Sequence, residues 1–329
     1  MKCLNQAHGE NWSLYQGDCC DVTKGLPDNS VHYSIFSPPF ESLYTYSNSE
    51  RDLGNNRANG EFYTHLKFIV TELFRIIKPG RLLSFHCMDI PAMKSRDGFI
   101  GLKDFPGDLL RLFQSVGFIY HSKVAIWKDP LTEVTRTKAI GLMHKQLVKD
   151  SALSRQGLPD YLITMRKPGV NEEPITHPGG LDSYAGESEP DAPRGERPDP
   201  DPDKFVKHEA YTGGPIYSHQ AWRKYASPVW MDIRQTHTLQ YRSARAEDDE
   251  RHICPLQLDV IERGITLWSN PGEIIFTPFA GIGSECYQSV KMGRKAVGVE
   301  LKESYFNSAA TNLKNLSAEM DVELDDLLS

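Results

Sequence analysis

Two short stretches, set near opposite ends of the 329-residue chain, hold the residue types from which chemistry could be built. The first is Ser37-Pro38-Pro39-Phe40. Two consecutive prolines fix φ and remove two backbone donors, so the turn offers carbonyl oxygens with little freedom. A hydroxyl, bare carbonyls and an aromatic ring together suit a planar amine. The oxygens accept from its NH2 while Phe40 stacks on the ring face. Taken alone, the tetrapeptide reads first as an ordinary turn at a strand end. The second stretch is Phe279-Ala280-Gly281-Ile282-Gly283-Ser284. Its glycines let the backbone approach a ligand closely, and the helix start that follows favours polar or anionic groups. Glu300 comes about twenty residues later, where an acid commonly grips ribose hydroxyls in nucleotide-binding folds. Strand, glycine loop, helix and terminal acid in that order point to a nucleoside-type cofactor. The Gly-x-x-x-x-Gly-Lys-Ser/Thr pattern is missing, which disfavours a phosphate-cradling nucleotide loop.

The elements that must position these stretches alternate between strand and helix in two regions. In the first, apolar runs at Val31–Phe36 and Arg81–Phe85 read as strands of a parallel sheet. Between them Phe62–Ile77 has helical periodicity and stops at the breaker Lys78-Pro79-Gly80. A second helix at Phe105–Val116 ends at Gly117 and leads into a strand near Phe118–Ile126. The last region repeats the pattern, with a helix at Pro255–Trp268, a turn at Asn270-Pro271-Gly272 and a strand at Glu273–Phe276. A helix at Ser284–Met292, a strand at Lys295–Val299 and a final helix from Glu303 complete it. The expected architecture is α/β, a doubly wound and mostly parallel sheet with a Rossmann-like core.

The middle breaks this rhythm. Residues 171–203 hold ten acids against Arg194 and Arg197, are rich in Pro and Gly, and are expected to be disordered. Basic stretches flank them: nine bases against four acids in 121–167, and six against two in 206–245. The net charge of −7 is therefore unevenly spread. Residues 171–203 carry −8 and 318–329 carry −5, which leaves a basic remainder. The expected organisation is 1–127 and 255–316 as two halves of one core, 128–254 as an insert, and 317–329 as an acidic tail. Hydrophobic residues at 39% exclude wholesale disorder, and no apolar run reaches membrane-span length. Met1–Glu10 is polar, unlike a secretory signal. Six cysteines without Cys-x-x-Cys spacing read as reduced thiols in a cytoplasm. No metal-ligand spacing joins the histidines; His86, His144 and His237 read as packed or surface residues.

Together these residues resemble the beta class of DNA amino-methyltransferases, which use S-adenosylmethionine. The resemblance runs through Tyr15-Gln16-Gly17-Asp18, Leu26 to Val31, Ser37-Pro38-Pro39-Phe40 and Phe74-Arg75-Ile76-Ile77-Lys78-Pro79-Gly80. It resumes at His252-Ile253-Cys254-Pro255, Phe279 to Gly283 and Gly293-Arg294 through Glu300. The order, catalytic loop first and cofactor loop last, is the order that defines the beta class. The resemblance implies that Phe279, Gly281 and Gly283 border the methionine part of the cofactor, with Ser284 also among the cofactor-binding residues. It further implies that Glu300 holds the ribose, that Asp18 sits near the adenine amino group, and that Ser37, Pro38, Pro39 and Phe40 bind a flipped base. Thr277 departs from the family's usual Asp before Pro-Phe, so that contact would be weaker or replaced.

The implied reaction is methyl transfer to an exocyclic amine. Methylation at ring carbon five needs a thiolate, and the loop carries Ser37 instead. Cys254-Pro255 opens a helix, and Cys19 and Cys20 read as core thiols. Within the family a Ser-Pro-Pro-aromatic loop is more typical of N4-cytosine enzymes and Asp-Pro-Pro-Tyr of N6-adenine ones. N4-cytosine is therefore expected, with N6-adenine as the alternative and a silent nucleic-acid-binding scaffold as a third. Double-stranded DNA is the expected partner, with no membrane and no metal; a homodimer is left open. Arg136, Lys138, Lys145, Lys149, Arg155, Arg223, Arg242 and Arg245 are candidates for DNA contact as a group, although any one of them reads first as a solvated base.

Overall fold

The computed structural model describes residues 2–40, 61–92, 94–137, 144–177, 224–240 and 255–328. The first part of the chain forms β1 (Asn5–Gly9), β2 (Trp12–Gln16), α1 (Cys19–Thr23), β3 (Val31–Phe36), α2 (Glu61–Ile76) and β4 (Ile77–Cys87). A small hairpin follows, β5 (Ile90–Ala92) and β6 (Gly101–Lys103), with α3 (Lys94–Asp97) between its strands. Next come α4 (Phe105–Val116), β7 (Ile119–Ile126), α5 (Pro130–Thr137), α6 (His144–Lys149), β8 (Asp160–Arg166) and β9 (Val229–Trp230). The last region holds α7 (Leu258–Trp268), β10 (Ile274–Thr277), α8 (Ser284–Lys291), β11 (Lys295–Glu300) and α9 (Glu303–Leu328).

Among the described residues one large sheet has the order β1-β2-β11-β10-β3-β4-β8-β7-β9. The five strands from β2 to β4 are mutually parallel, and β8 and β7 continue antiparallel. Helices cover both faces, because side chains alternate along a strand. Tyr33, Ile35 and Leu82 pack toward Val260, Ile261 and Ile265 of α7. Phe36, Leu83 and Phe85 pack with α2 and α4, through Leu66, Ile69, Leu73, Leu109 and Phe113. Trp12, Leu14 and Ala296 meet Val290 of α8 and Phe306, Ala309 and Leu313 of α9. The doubly wound expectation holds.

Four expectations change. Lys78-Pro79-Gly80 lies inside β4, where the pairing with β3 jumps from Val31↔Ile77 to Tyr33↔Leu82. That irregularity absorbs a proline that donates nothing to the ladder. Asp160–Arg166, expected within a separate insert, is a buried strand lying between β4 and β7. Residues 171–177, the described start of the segment expected to be disordered, are tied down; the rest of 171–203 lies outside the described residues. Glu173 bonds Lys78 Nζ at 3.0 Å, and Thr176 N donates to Asn270 Oδ1 at 3.0 Å. Arg81, which is fully buried, pairs with Glu273 and donates to the carbonyls of His32 and Glu173. Finally, α9 runs through the expected boundary at 317, and Ser317 Oγ accepts from Trp12 Nε1 at 3.1 Å.

Candidate active site

The strand order creates the cleft. From β3 the chain proceeds to β4 on one side, while from β10 it proceeds to β11 on the other, and β3 and β10 are parallel neighbours. Ligands in open α/β sheets bind beyond the carboxyl ends of the strands at such a switch point. Ser34 Oγ locks the two strands by donating to the Phe276 carbonyl at 2.8 Å. Ser37-Pro38-Pro39-Phe40 leaves the end of β3, and Phe279 to Ser284 leaves the end of β10. The rings of Phe36 and Phe279 meet edge to face with centroids 5.8 Å apart. The two loops expected from sequence therefore leave neighbouring strand ends on the same edge of the sheet.

On the glycine side, Gly281 N donates to Glu300 Oε2 at 2.8 Å and Lys302 N to Glu300 Oε1 at 2.9 Å. Both carboxylate oxygens are thus held at the glycine loop by backbone donors. Gly281 has φ of 52° and a Cβ there would meet nothing within 4 Å, so the loop leaves open space. Gly283 has φ of 89° and a Cβ there would lie 3.0 Å from Ala309 Cβ. The second glycine is thus favoured by its left-handed φ and by close packing on α9 rather than by open space. Gly17 N donates to the Glu300 carbonyl at 2.9 Å, which brings Asp18 to the same edge. Asp18 caps α1 by accepting from Cys20 N at 2.8 Å. Two buried hydroxyls, Thr277 Oγ1 and Ser284 Oγ, have no partner among the described residues. Burial, followed by the nearby Glu300 charge, pushes the Glu285 carboxyl up to about 8.

On the proline side, Pro38 is buried while Ser37, Pro39 and Phe40 are half-buried. The Phe40 ring packs against Phe105 with centroids 5.5 Å apart. Ser37 Oγ lies 3.1 Å from His86 Nδ1. The other ring nitrogen, Nε2, is 3.1 Å from Asp160 Oδ2 at ion-pair distance, although off the hydrogen-bond axis. Asp160 Oδ1 is 2.7 Å from Lys128 Nζ, which in turn is 3.6 Å from Glu133 Oε2. Burial alone would raise the Asp160 carboxyl, but His86 and Lys128 hold it below the usual carboxylate range.

His86 was expected to pack or bond at a strand end, ahead of a reading as a general base, and Asp160 and Lys128 were not singled out. The carboxylate was hidden because the strand it opens lies in the region read as an insert; the short, nearly continuous apolar run Tyr161–Met165, as in a strand buried on both faces, was the available signal. Among the DNA-contact candidates, Lys145 and Lys149 are exposed on α6 and Arg136 lies in α5. Arg155 is half-buried, its charge disfavoured by burial and offset by the Glu133 and Asp89 carboxylates. Lys138, Arg223, Arg242 and Arg245 lie outside the described residues. Several bases of 121–167 turn inward: Lys167 donates to Asn29 Oδ1 and to the Ile77 carbonyl at 2.7 Å each, and Lys123 sits over the Tyr161 ring.

A doubly wound sheet with an open glycine loop at the end of β10, a carboxylate at the end of β11, unpartnered buried hydroxyls and a proline-stiffened turn at the end of β3 is the arrangement of a Rossmann-like methyltransferase fold. The donor set fits S-adenosylmethionine: acceptors for ribose hydroxyls, with polar groups and a carboxyl close to the loop. The pattern of the DNA methylase family matches residues 31–311, and the chain belongs to that family of S-adenosylmethionine-dependent amino-methyltransferases. Type II methyltransferase M.BglII of Bacillus subtilis is 22% identical over 298 residues, covering 90% of this chain and 67% of that protein. Type II methyltransferase M.BamHI of Bacillus amyloliquefaciens is 23% identical over 295 residues, covering 88% of this chain and 54% of that protein. A DNA modification methylase of Thermus thermophilus, TTHA0409, solved with S-adenosyl-L-methionine, superposes with a TM-score of 0.59 at 20% identity, covering 92% of this chain and 93% of that one. PvuII DNA methyltransferase, cytosine-N4-specific, superposes with a TM-score of 0.55 at 14% identity, covering 96% of this chain and 94% of that one.

Proposed function

We propose that this chain methylates the exocyclic N4 amine of a cytosine rotated out of duplex DNA, drawing the methyl group from S-adenosylmethionine. The observation that carries the reading is Ser37 at the end of β3, opposite the glycine loop at the end of β10. When bound, the cofactor supplies an electrophilic methyl on a sulfonium sulfur. Glu300, Asp18 and the Gly281 backbone hold its nucleoside, and Phe279 and the Thr277 and Ser284 hydroxyls face its remainder.

An exocyclic amine is a weak nucleophile because its lone pair is delocalised into the ring. Acceptors on both N–H groups localise that pair on nitrogen. Ser37 Oγ and the carbonyl before Pro38 supply two fixed acceptors, so positioning and preorganised electrostatics provide the rate. Extrusion of the base from the stack costs a few kcal/mol, offset by an apolar site next to Phe40. Ser37 in place of an aspartate favours cytosine. Exposed Lys145 and Lys149 supply positive charge for the phosphate backbone.

The test is to incubate the protein with S-adenosylmethionine and plasmid DNA, digest to nucleosides and identify the methylated product. N4-methylcytosine is expected. N6-methyladenine alone would replace the cytosine reading, and no product together with no calorimetric heat on adding S-adenosylmethionine would mark a silent scaffold.

A further inference from the structure

His86 is a half-buried imidazole poised between a hydroxyl and a carboxylate. Ser37 Oγ is 3.1 Å from Nδ1, Asp160 Oδ2 is 3.1 Å from Nε2, and Lys128 Nζ braces the far Asp160 oxygen at 2.7 Å. The four residues come from separate elements that end at one edge. Ser37 follows β3, His86 stands in β4, Asp160 opens β8 and Lys128 follows β7. Sheet register alone brings the chain positions together, since Phe36 pairs with Phe85, His86 with Leu162, and Ile126 with Asp160. Among the described residues the row continues with Glu133 of α5, which faces Lys128.

We propose that His86, with its tautomer set by Asp160, is a positioning residue that turns the Ser37 hydroxyl into an obligate acceptor for the substrate amine. This rests on the amine-transfer reading above. The Asp160 carboxylate, 3.1 Å from Nε2 but off its hydrogen-bond axis, favours by its charge the tautomer that carries the ring proton on Nε2. Nδ1 then carries a lone pair and takes the Ser37 O–H. Both lone pairs of Oγ are left for the amine N–H, and the ambiguity of a hydroxyl, which can otherwise donate, is removed. During transfer the amine nitrogen forms its bond to the methyl carbon while the carbon–sulfur electron pair returns to sulfur. The surplus amine proton passes to Ser37 Oγ as the serine proton moves to His86 Nδ1. The imidazolium so formed lies beside the Asp160 carboxylate, the arrangement by which a buried acid assists a histidine base. Lys128 keeps Asp160 ionised between turnovers.

Two measurements test this on the full chain. The first is a 15N–1H long-range histidine spectrum of the protein without ligands, with His86 assigned through H86N. It is expected to show a protonated Nε2 and a bare Nδ1, and D160N is expected to relax that preference. An Nδ1–H tautomer in the unmodified protein overturns the proposal whether or not methyl transfer is detected. The second is single-turnover kinetics. H86F is expected to lower the transfer rate about 10²-fold with S-adenosylmethionine affinity unchanged. H86N, whose amide oxygen can stand near the Nδ1 position, is expected to recover part of that loss but to lack the acid-side fall in the pH–rate profile. H86F within threefold of the unmodified rate, or H86N keeping the acid limb, overturns the proposal. Absence of any methylated base from the unmodified protein would instead remove the amine-transfer reading and leave the tautomer result to decide the geometry.

Discussion

Phe36 and Phe279 meet edge to face with ring centroids 5.8 Å apart, although one ends the second strand of the parallel core and the other opens a loop near the far end of the chain. Their contact sets the proline turn and the glycine loop side by side at one edge of the sheet. It exists because β10 inserts beside β3, with Tyr33 opposite Ile275 and Ser34 opposite Phe276.

The two loop glycines separate ligand space from packing. At Gly281 an added Cβ meets nothing within 4 Å, whereas at Gly283 it lies 3.0 Å from Ala309 Cβ. Both have positive φ, so alanine costs roughly 1–2 kcal/mol of backbone strain at either site. G281A is expected to weaken S-adenosylmethionine binding about tenfold by calorimetry with only that strain in stability. G283A adds overpacking of about 1–3 kcal/mol and should unfold at clearly lower urea. The reverse ranking in stability would show that the two Cβ directions are misassigned.

Glu285 makes stability depend on pH. Burial and then Glu300 raise its carboxyl from the ordinary 4.5 to about 8. Below 4.5 both folded and unfolded chains hold the proton, so the full contribution is present. Between 4.5 and about 8 only the folded chain holds it, and stability falls as pH rises. E285Q removes this dependence. Thermal melts should show the variant gaining on the parent protein from pH 5 to 8, and parallel curves would refute the assignment.

Arg81 is buried against Glu273 and also donates to two carbonyls at the amino end of the sheet. Removing one member of such a pair leaves an uncompensated charge in the interior and costs about 3–5 kcal/mol. R81M should lower the urea midpoint accordingly, and R81M/E273M should recover much of the loss. Because this cluster is at the opposite edge from Ser37, the affinity for S-adenosylmethionine in native buffer is expected to stay unchanged.

Lys145 and Lys149 lie exposed on α6. If they meet phosphates, K145E/K149E should weaken DNA binding uniformly across sequences and reduce the magnitude of the log–log salt slope by about 1 for each phosphate no longer neutralised. Filter binding at several salt concentrations measures both. An unchanged slope would move the phosphate-binding surface elsewhere.

The proline turn and the glycine loop were legible as loops because local physics writes them. Prolines stiffen the turn after Phe36 and glycines shape the loop after Phe279. Periodicity placed β3, β11, α4 and α8 within a residue or two of their observed ends. Charge counting misled where it could not see direction. Lys167, Arg166 and Lys128 add to a basic total, yet Lys167 caps carbonyls inside the core and Lys128 braces Asp160.

What residue order alone determined was the class of fold, the two loops and the acid at Glu300, because each depends on neighbours within a few residues. Tertiary structure alone decided that Asp160–Arg166 is a core strand, that Gly283 serves packing on Ala309, and that His86 stands between Ser37 and Asp160. Those facts depend on which strands lie side by side. Pairing between distant segments follows from burying the whole sheet at once, and no short window of sequence contains that constraint.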